Sequence, residues 1–268
     1  MPPASLPVVR ILLTNDDGIH APGLAALEKA LARLGTVGVV APHVEQSGVG
    51  HSVTYRKPLM IHEAASPDDP RRLRGWSVEG SPADCVKLGV LELVRDVDVV
   101  VSGINDGLNA GINVLYSGTV AAAIEGAFFG ITSVAVSLES DDRADWPAAA
   151  ELAVTLIEQL LARGAGGHPP CPGELFNLNI PTAALTATPE VRAVPLGLLR
   201  YGDRFIKRLD PRGKPYFWTD NDPPAPPGAE ETDLMCLRRG AVTVTPLHFD
   251  MTDRGRLATM PTKLDWTV

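Results

Sequence analysis

The chain reads as an α/β protein, Rossmann-like and doubly wound around a mostly parallel sheet, and three observations carry that reading. Runs of Val, Ile and Leu that are apolar on both faces recur through the first two thirds of the chain, as they do in strands buried on both sides. Between them lie segments with apolar residues at helical spacing, and alternating strands and helices build a parallel sheet covered on both faces. Several of the apolar runs end in loops of Gly, Asp, Asn and Ser; open α/β sheets place their chemistry just beyond the carboxyl ends of strands.

The first strand spans residues 8–13 and leads through Asp16-Asp17-Gly18 to a helix beginning near Pro22. Leu24, Leu27, Leu31 and Leu34 recur along that helix, and Gly35 is its expected stop. A second strand at 37–41 completes a β-α-β unit with parallel strands and a right-handed crossover. A third strand, 97–101, ends in Ser102-Gly103-Ile104-Asn105, followed by a small-residue helix from about Thr119 to Phe129 and a strand over 132–138. Asp145 then caps a long helix with Pro147 in its first turn and Leu152, Leu156 and Leu160 on one face.

After about residue 165 the pattern changes. Gly164 to Gly173 is a Gly/Pro-rich connector, 176–180 is one more core strand closed by Pro181, and 241–246 is a late strand. Residues 195–235 show no helical period and scatter Tyr201, Phe205, Tyr216, Phe217 and Trp218 around a Pro-rich tract at 223–227. Aromatics in a segment without its own core fit either ordinary loop packing or an arm that buries them on another subunit. The expected division is a catalytic core over 1–184 and an extension over 185–268, with an oligomerisation arm and a late strand packing on the core.

Composition narrows the function. With 45% hydrophobic and 21% charged residues, the 268-residue chain is ordinary globular material. A net charge of −8 disfavours an extended nucleic-acid face, which would be basic. A small anionic substrate is expected, with no nucleic-acid polymer and no membrane as partner. Cys85, Cys171 and Cys236 have no zinc or disulfide spacing, the opening residues lack a signal-peptide pattern, and no apolar run approaches a membrane span. The expectation is a soluble, cytoplasmic protein.

The acidic doublet Asp16-Asp17 at the end of the first strand is the strongest chemical signal. Two adjacent like charges fit a hard divalent cation between them, or a helix cap beside a solvent-facing carboxylate. Three loops leave the same sheet edge: 15–17, 41–52 and 102–111. Together they offer carboxylates, hydroxyls and amides, the oxygen set a hard cation prefers. Ser117-Gly118-Thr119 opens a helix and presents unpaired backbone N–H groups, a ready site for a substrate phosphate. A cation beside such a helix end points to phosphoryl chemistry. His20, His43 and His51 lie near these loops as possible acids or bases, but surface or hydrogen-bonding roles explain them equally. Asp106 and Asn109 are candidates for orienting metal ligands. Capping and packing account for Asp84 and Cys85, and solvation for Arg56 and Lys57.

These residues resemble the SurE (survival protein E) family. The opening block is Thr14-Asn15-Asp16-Asp17-Gly18 with Ala21-Pro22-Gly23. Further blocks are Ala41-Pro42 with Gln46-Ser47-Gly48-Val49-Gly50, Gly80-Ser81-Pro82-Ala83-Asp84, and Ser102-Gly103-Ile104-Asn105 continuing to Tyr116-Ser117-Gly118-Thr119. Asn177-Leu178-Asn179-Ile180-Pro181, Thr232-Asp233 and Thr245-Pro246-Leu247 match weaker landmarks, so the resemblance covers most of the chain. It implies a Mg²⁺- or Mn²⁺-dependent phosphatase of nucleoside 5′- and 3′-monophosphates, with one ion per subunit held by Asp16, Asp17, Ser47 and Asn105. Asp16 or Asp17 is then the candidate catalytic base, with a covalent aspartyl-phosphate as the other route, and the assembly a homodimer or homotetramer. Short-chain polyphosphate hydrolysis, or nucleotide binding without turnover, are the alternatives. Ser81 stands where many relatives have Thr, which keeps the hydroxyl. Base and 5′/3′ preference depend on the shapes of loops 43–55 and 105–116, which periodicity does not describe.

Overall fold

The computed structural model describes residues 9–66, 71, 73–163, 171–186, 188–198, 205–219 and 231–261. In chain order its strands are β1 (Val9–Thr14), β2 (Gly35–Pro42), β3 (Ile61–Ala65), β4 (Leu73–Val78), β5 (Val99–Asp106), β6 (Thr132–Leu138), β7 (Leu175–Ile180), β8 (Val191–Ala193), β9 (Phe205–Leu209), β10 (Pro215–Thr219) and β11 (Val242–Leu247). The helices are α1 (Pro22–Leu31), α2 (Pro82–Leu88), α3 (Gly118–Phe128), α4 (Trp146–Arg163), α5 (Asp233–Arg238) and α6 (Arg254–Ala258).

Nine strands form one mixed, mostly parallel sheet in the order β3-β4-β2-β1-β5-β6-β7-β11-β8. Its antiparallel pairs are β3 with β4 and β7 with β11; β9 and β10 make a separate antiparallel ribbon. Alternate residues of the central strands serve opposite layers. Ile11, Leu13, Val99 and Val101 pack with Leu24 and Leu27 of α1 and Ala153 and Ile157 of α4. Leu12, Val40 and Val100 pack on the other side with Cys85 and Val86 of α2 and Ala122 of α3. Burial of both faces explains why these strands are continuous apolar runs rather than alternating ones.

The sheet order reverses between β1 and β5. From β1 the chain extends the sheet through β2 to β4, and β5 through β7 then extend it the other way. Such a reversal opens a crevice at the strands' carboxyl ends. The Asp16-Asp17 turn follows β1 there, and Asn105 lies near the end of β5.

Several element boundaries differ from the sequence expectation. Gly35 opens β2 instead of stopping α1, which ends at Leu31. It pairs with Val9, and a Cβ on Gly35 would sit 1.8 Å from the Val9 carbonyl oxygen, so the pairing requires glycine. β5 begins two residues later than expected and runs on through Asn105. β4 escapes the periodicity because Arg74 and Gly75 interrupt its apolar run. Gly75 is needed against the Val39 carbonyl, 2.1 Å from where its Cβ would lie. The segment 195–235, which lacks a helical period, contributes the β9–β10 ribbon, and β8 just before it joins the main sheet beside β11. Val8, Tyr201, the tract 223–227 and residues 164–170 of the connector lie outside the described residues.

Arg74 ties β4 to α1. Its buried guanidinium donates through Nε to Glu28 Oε2 at 2.6 Å and through Nη1 to the Ile19 carbonyl. Glu28→Ala leaves that guanidinium without its counter-charge, so chemical denaturation is expected to show a loss of about 3 kcal/mol. A loss under about 1 kcal/mol would show that the pair does not fasten β4 to α1.

Candidate active site

The acidic turn is built by Asn15. This buried side chain donates through Nδ2 to the Gly18 carbonyl at 3.0 Å and accepts the Gly18 N–H on Oδ1 at 3.2 Å. Gly18 has a φ of 100°, a conformation that side chains disfavour. The turn thereby presents two consecutive carboxylates beyond the sheet edge. Asp16 is buried, and it accepts the hydroxyl of Thr119 on Oδ1. Asp17 is half-buried and accepts the Asp106 N–H on Oδ2 at 3.2 Å.

Electrostatics at this turn run against ionisation. Burial raises the Asp16 pKa above the usual carboxylate value, and the Thr119 hydrogen bonds oppose the rise. Asp17 is pushed up to about 6, first by burial and then by the Asp16 charge, with Asp106 and Glu45 adding to it. Desolvation leads on both groups, followed by the Thr119 hydrogen bonds on Asp16 and the Asp16 charge on Asp17, with no cationic side chain among these influences. Among the described residues no three His, Cys, Asp or Glu side chains are arranged to hold a metal. A cation here would therefore draw on hydroxyl and amide oxygens as well as the acidic pair.

Those oxygens are close by in the fold. Asn105 donates its amide Nδ2 to the Gly107 carbonyl at 2.6 Å, which leaves Oδ1 for a ligand. The 43–52 loop is held to the acidic turn by Gln46, whose N–H donates to the Asp16 carbonyl at 2.7 Å. Ser47, next in that loop, is exposed and donates its hydroxyl to Glu45 Oε1 at 2.7 Å. At the amino end of α3, Ser117 caps the helix by accepting the Val120 N–H at 3.1 Å. A Cβ on Gly118 would lie 2.8 Å from the Asp16 Cβ, so only glycine lets α3 start this close to the carboxylate. The positive end of the α3 dipole thus meets Asp16. Thr119 is engaged with Asp16, while Ser117 and Gly118 sit beside it.

The remaining candidates fall elsewhere. His20 is exposed. His43 pairs through Nδ1 with Ser77 Oγ at 3.2 Å, and His51 pairs through Nε2 with Glu125 Oε2 at 2.8 Å. None of the three has a hydrogen bond to the acidic turn among the described residues. Asn109 donates its N–H to Asn179 Oδ1 at 2.8 Å and its amide to Ser137 Oγ at 2.9 Å. It fastens the loop after β5 to the ends of β6 and β7, while Asp106 meets Asp17 through its backbone. Asp84 and Ser81 form a capping box on α2, and Asp84 also accepts the Thr54 N–H and hydroxyl at 2.9 and 2.7 Å. Cys85 is buried in α2, and burial raises its thiol pKa. Arg56 and Lys57 are exposed.

Two contributors escape the residue-by-residue reading. Glu45 adds negative potential to the pair. Asp233, fully buried at the start of α5, accepts N–H groups from Gly111, Gly197 and Leu234, each at 2.7 Å. It pins the loop after β5 to the 195–198 segment; the only sequence signal for it is the family landmark Thr232-Asp233.

Comparison with known proteins gives consistent matches. Residues 11–203 match the family model described as Survival protein SurE. The chain is 56% identical over 262 residues to a 5′-nucleotidase SurE of Rhodopirellula baltica, covering 97% of this chain and 99% of that one. It is 45% identical to a 5′-nucleotidase SurE 1 of Thermus thermophilus, covering 93% and 95%. The crystal structure of the SurE protein from Aquifex aeolicus superposes with a TM-score of 0.77 at 36% identity, covering 94% of this chain and 98% of that one.

The raised Asp17 pKa has a sign that can be tested on metal-free protein. The folded state holds a proton that the unfolded chain releases near 3.9, so stability falls as pH rises from about 4 through the folded value of about 6. Denaturant midpoints measured across pH 4–8 in chelator should decline over that window, and Asp17→Asn should flatten the decline. An unaltered slope in Asp17→Asn would contradict the electrostatic account.

Proposed function

The chain belongs to the SurE family, and from that premise we propose that it is a divalent-metal-dependent phosphomonoesterase, hydrolysing nucleoside 5′-monophosphates, and 3′-monophosphates with them, to nucleoside and phosphate. One observation carries the reading: a buried Asp16 and a half-buried Asp17 lie side by side at the point where the sheet order reverses, with no cationic side chain among their leading influences. In a chain that is 56% identical to a protein named 5′-nucleotidase, that pair calls for a positive charge from outside the polypeptide.

The residues fit one Mg²⁺ or Mn²⁺ per subunit. Asp16, Asp17, Asn105 Oδ1 and Ser47 Oγ would hold it, an all-oxygen set suited to a hard cation, with waters completing the shell. When bound, such an ion neutralises phosphate charge and eases deprotonation of water. The chain's own groups do the rest. Asp16 is fixed by Thr119 and the end of α3, so it orients without moving. Asp17 commits Oδ2 to the Asp106 N–H, and its other oxygen is the one placed to take the proton of the attacking water. The Ser117 hydroxyl and the first N–H groups of α3, at Gly118 and Thr119, form the end that receives the phosphate.

Phosphate release from 5′-AMP, 3′-AMP and short polyphosphate, with Mn²⁺ or with chelator, tests the reading. Release from the nucleotides is expected with metal and not with chelator, and Asp17→Asn is expected to lower kcat about 100-fold or more. Release from polyphosphate alone, or nucleotide binding without release, would overturn it.

We further propose that the working protein is a cytoplasmic homodimer or homotetramer. The β9–β10 ribbon stands apart from the main sheet and leaves Phe217 58% and Trp218 62% exposed, an apolar surface that a second copy would cover. Cys85, Cys171 and Cys236 are unpaired, and no helix among the described residues is long and apolar enough to cross a membrane. Replacing Phe217 and Trp218 with Asp is expected to reduce the mass measured by light scattering. An unchanged oligomer would remove the ribbon from the interface.

A further inference from the structure

We propose that the cleft between the 43–54 loop and the 78–81 turn is the subsite for the nucleoside half of the substrate, with Glu79 accepting ribose hydroxyls at its rim; this rests on the nucleotidase reading above. The cleft has a volume of about 420 Å³, a size for a small molecule and not for a polymer. Its position follows from the sheet. β2 lies directly beside β1, and β4 lies beside β2, all parallel. The His43 N–H donates to the Val78 carbonyl at 2.8 Å, so the two walls join just past the carboxyl ends of β2 and β4. Neighbouring strands are spaced about 4.8 Å apart. The cleft is therefore one to two strand spacings from the end of β1, the span over which sugar and base extend from a phosphate.

The cleft and the acidic turn also share a wall. Gln46 lines the cleft while its N–H holds the Asp16 carbonyl, and Ser47 follows it in the chain. On the opposite flank of the crevice the ends of β6 and β7 are covered by Asn109, whose carbonyl accepts the amides of Asn177 and Asn179 at 2.7 and 3.1 Å. A substrate phosphate seated at β1 and β5 thus has its open side toward β2 and β4.

The lining suits a nucleoside. Val44 and Val53 offer apolar surface to a base. Glu79 is held from two directions: its N–H donates to the Met60 carbonyl at 2.9 Å, and its Oε1 pairs with His62 Nε2 at 2.9 Å. Oε2 remains to accept hydroxyl protons, the role acidic side chains take on ribose in dinucleotide sites. His43, its ring centroid 5.4 Å from that of His62 and its Nδ1 set by Ser77, belongs to the same rim. A carboxylate at this place also repels a second phosphate, so the lining favours a nucleoside over an extended phosphate chain despite Lys57 nearby.

The test compares steady-state kinetics of the full-length wild type and Glu79→Ala at saturating Mn²⁺ on 5′-AMP and on p-nitrophenyl phosphate, which has no ribose. Glu79→Ala is expected to raise KM for 5′-AMP about tenfold, with kcat within twofold and both constants for p-nitrophenyl phosphate unchanged. An unchanged KM for 5′-AMP, or equal losses on both esters, overturns the subsite while leaving the nucleotidase reading intact. Wild-type turnover of p-nitrophenyl phosphate without turnover of 5′-AMP sinks the nucleotidase reading, and the subsite with it.

Discussion

Two carboxylates side by side in a partly dry crevice are the constraint around which this fold is arranged. Asp16 and Asp17 lose solvation by lying beyond β1, and the Asp16 charge raises the cost of ionising Asp17. The backbone compensates only in part: Thr119 and the end of α3 support Asp16, and a single N–H from Asp106 supports Asp17. The surrounding glycines and amides serve that compensation. Gly118 permits the helix to approach, and Asn15 holds the turn that carries both side chains. Such an arrangement is costly unless a positive ligand enters, and the proposed cation is what turns that cost into affinity.

The loops that complete the crevice are clamped by buried carboxylates on either side. On the β2 flank, Asp84 ties Thr54 to the capped start of α2, and Ser81 donates its hydroxyl to the Ser52 carbonyl at 2.6 Å. On the β6 flank, Asp233 gathers backbone N–H groups from two separate loops. Charged acceptors satisfied by main-chain donors are among the stronger hydrogen-bonding arrangements available, and here they fix loops that carry Ser47 and Asn105. Ser47 therefore sits on a fastened loop, and Asn105 at the end of β5 leads into another.

Much of this was legible in the residues. Strands buried on both faces announced β1, β2, β5, β6 and β7, and leucine spacing announced α1 and α4. The acidic doublet and the helix start at Ser117 marked the candidate site, because strand ends and helix starts are local features. What was hidden depends on contacts between distant segments. Gly35 looks like a helix stop until Val9 is seen against it. β4 is masked by Arg74, whose partner Glu28 lies on another element. Asp233 and Glu79 are ordinary acidic residues in sequence, and only the folded chain places one under the loop after β5 and the other at the rim of a cleft.

The most direct test of the central claim is a crystal of the protein grown or soaked with Mn²⁺ and measured for anomalous scattering. The account predicts one strong peak per subunit between Asp16 and Asp17, within coordination distance of the Asn105 side-chain oxygen. Ordered loops around the crevice with no peak between those carboxylates would contradict it.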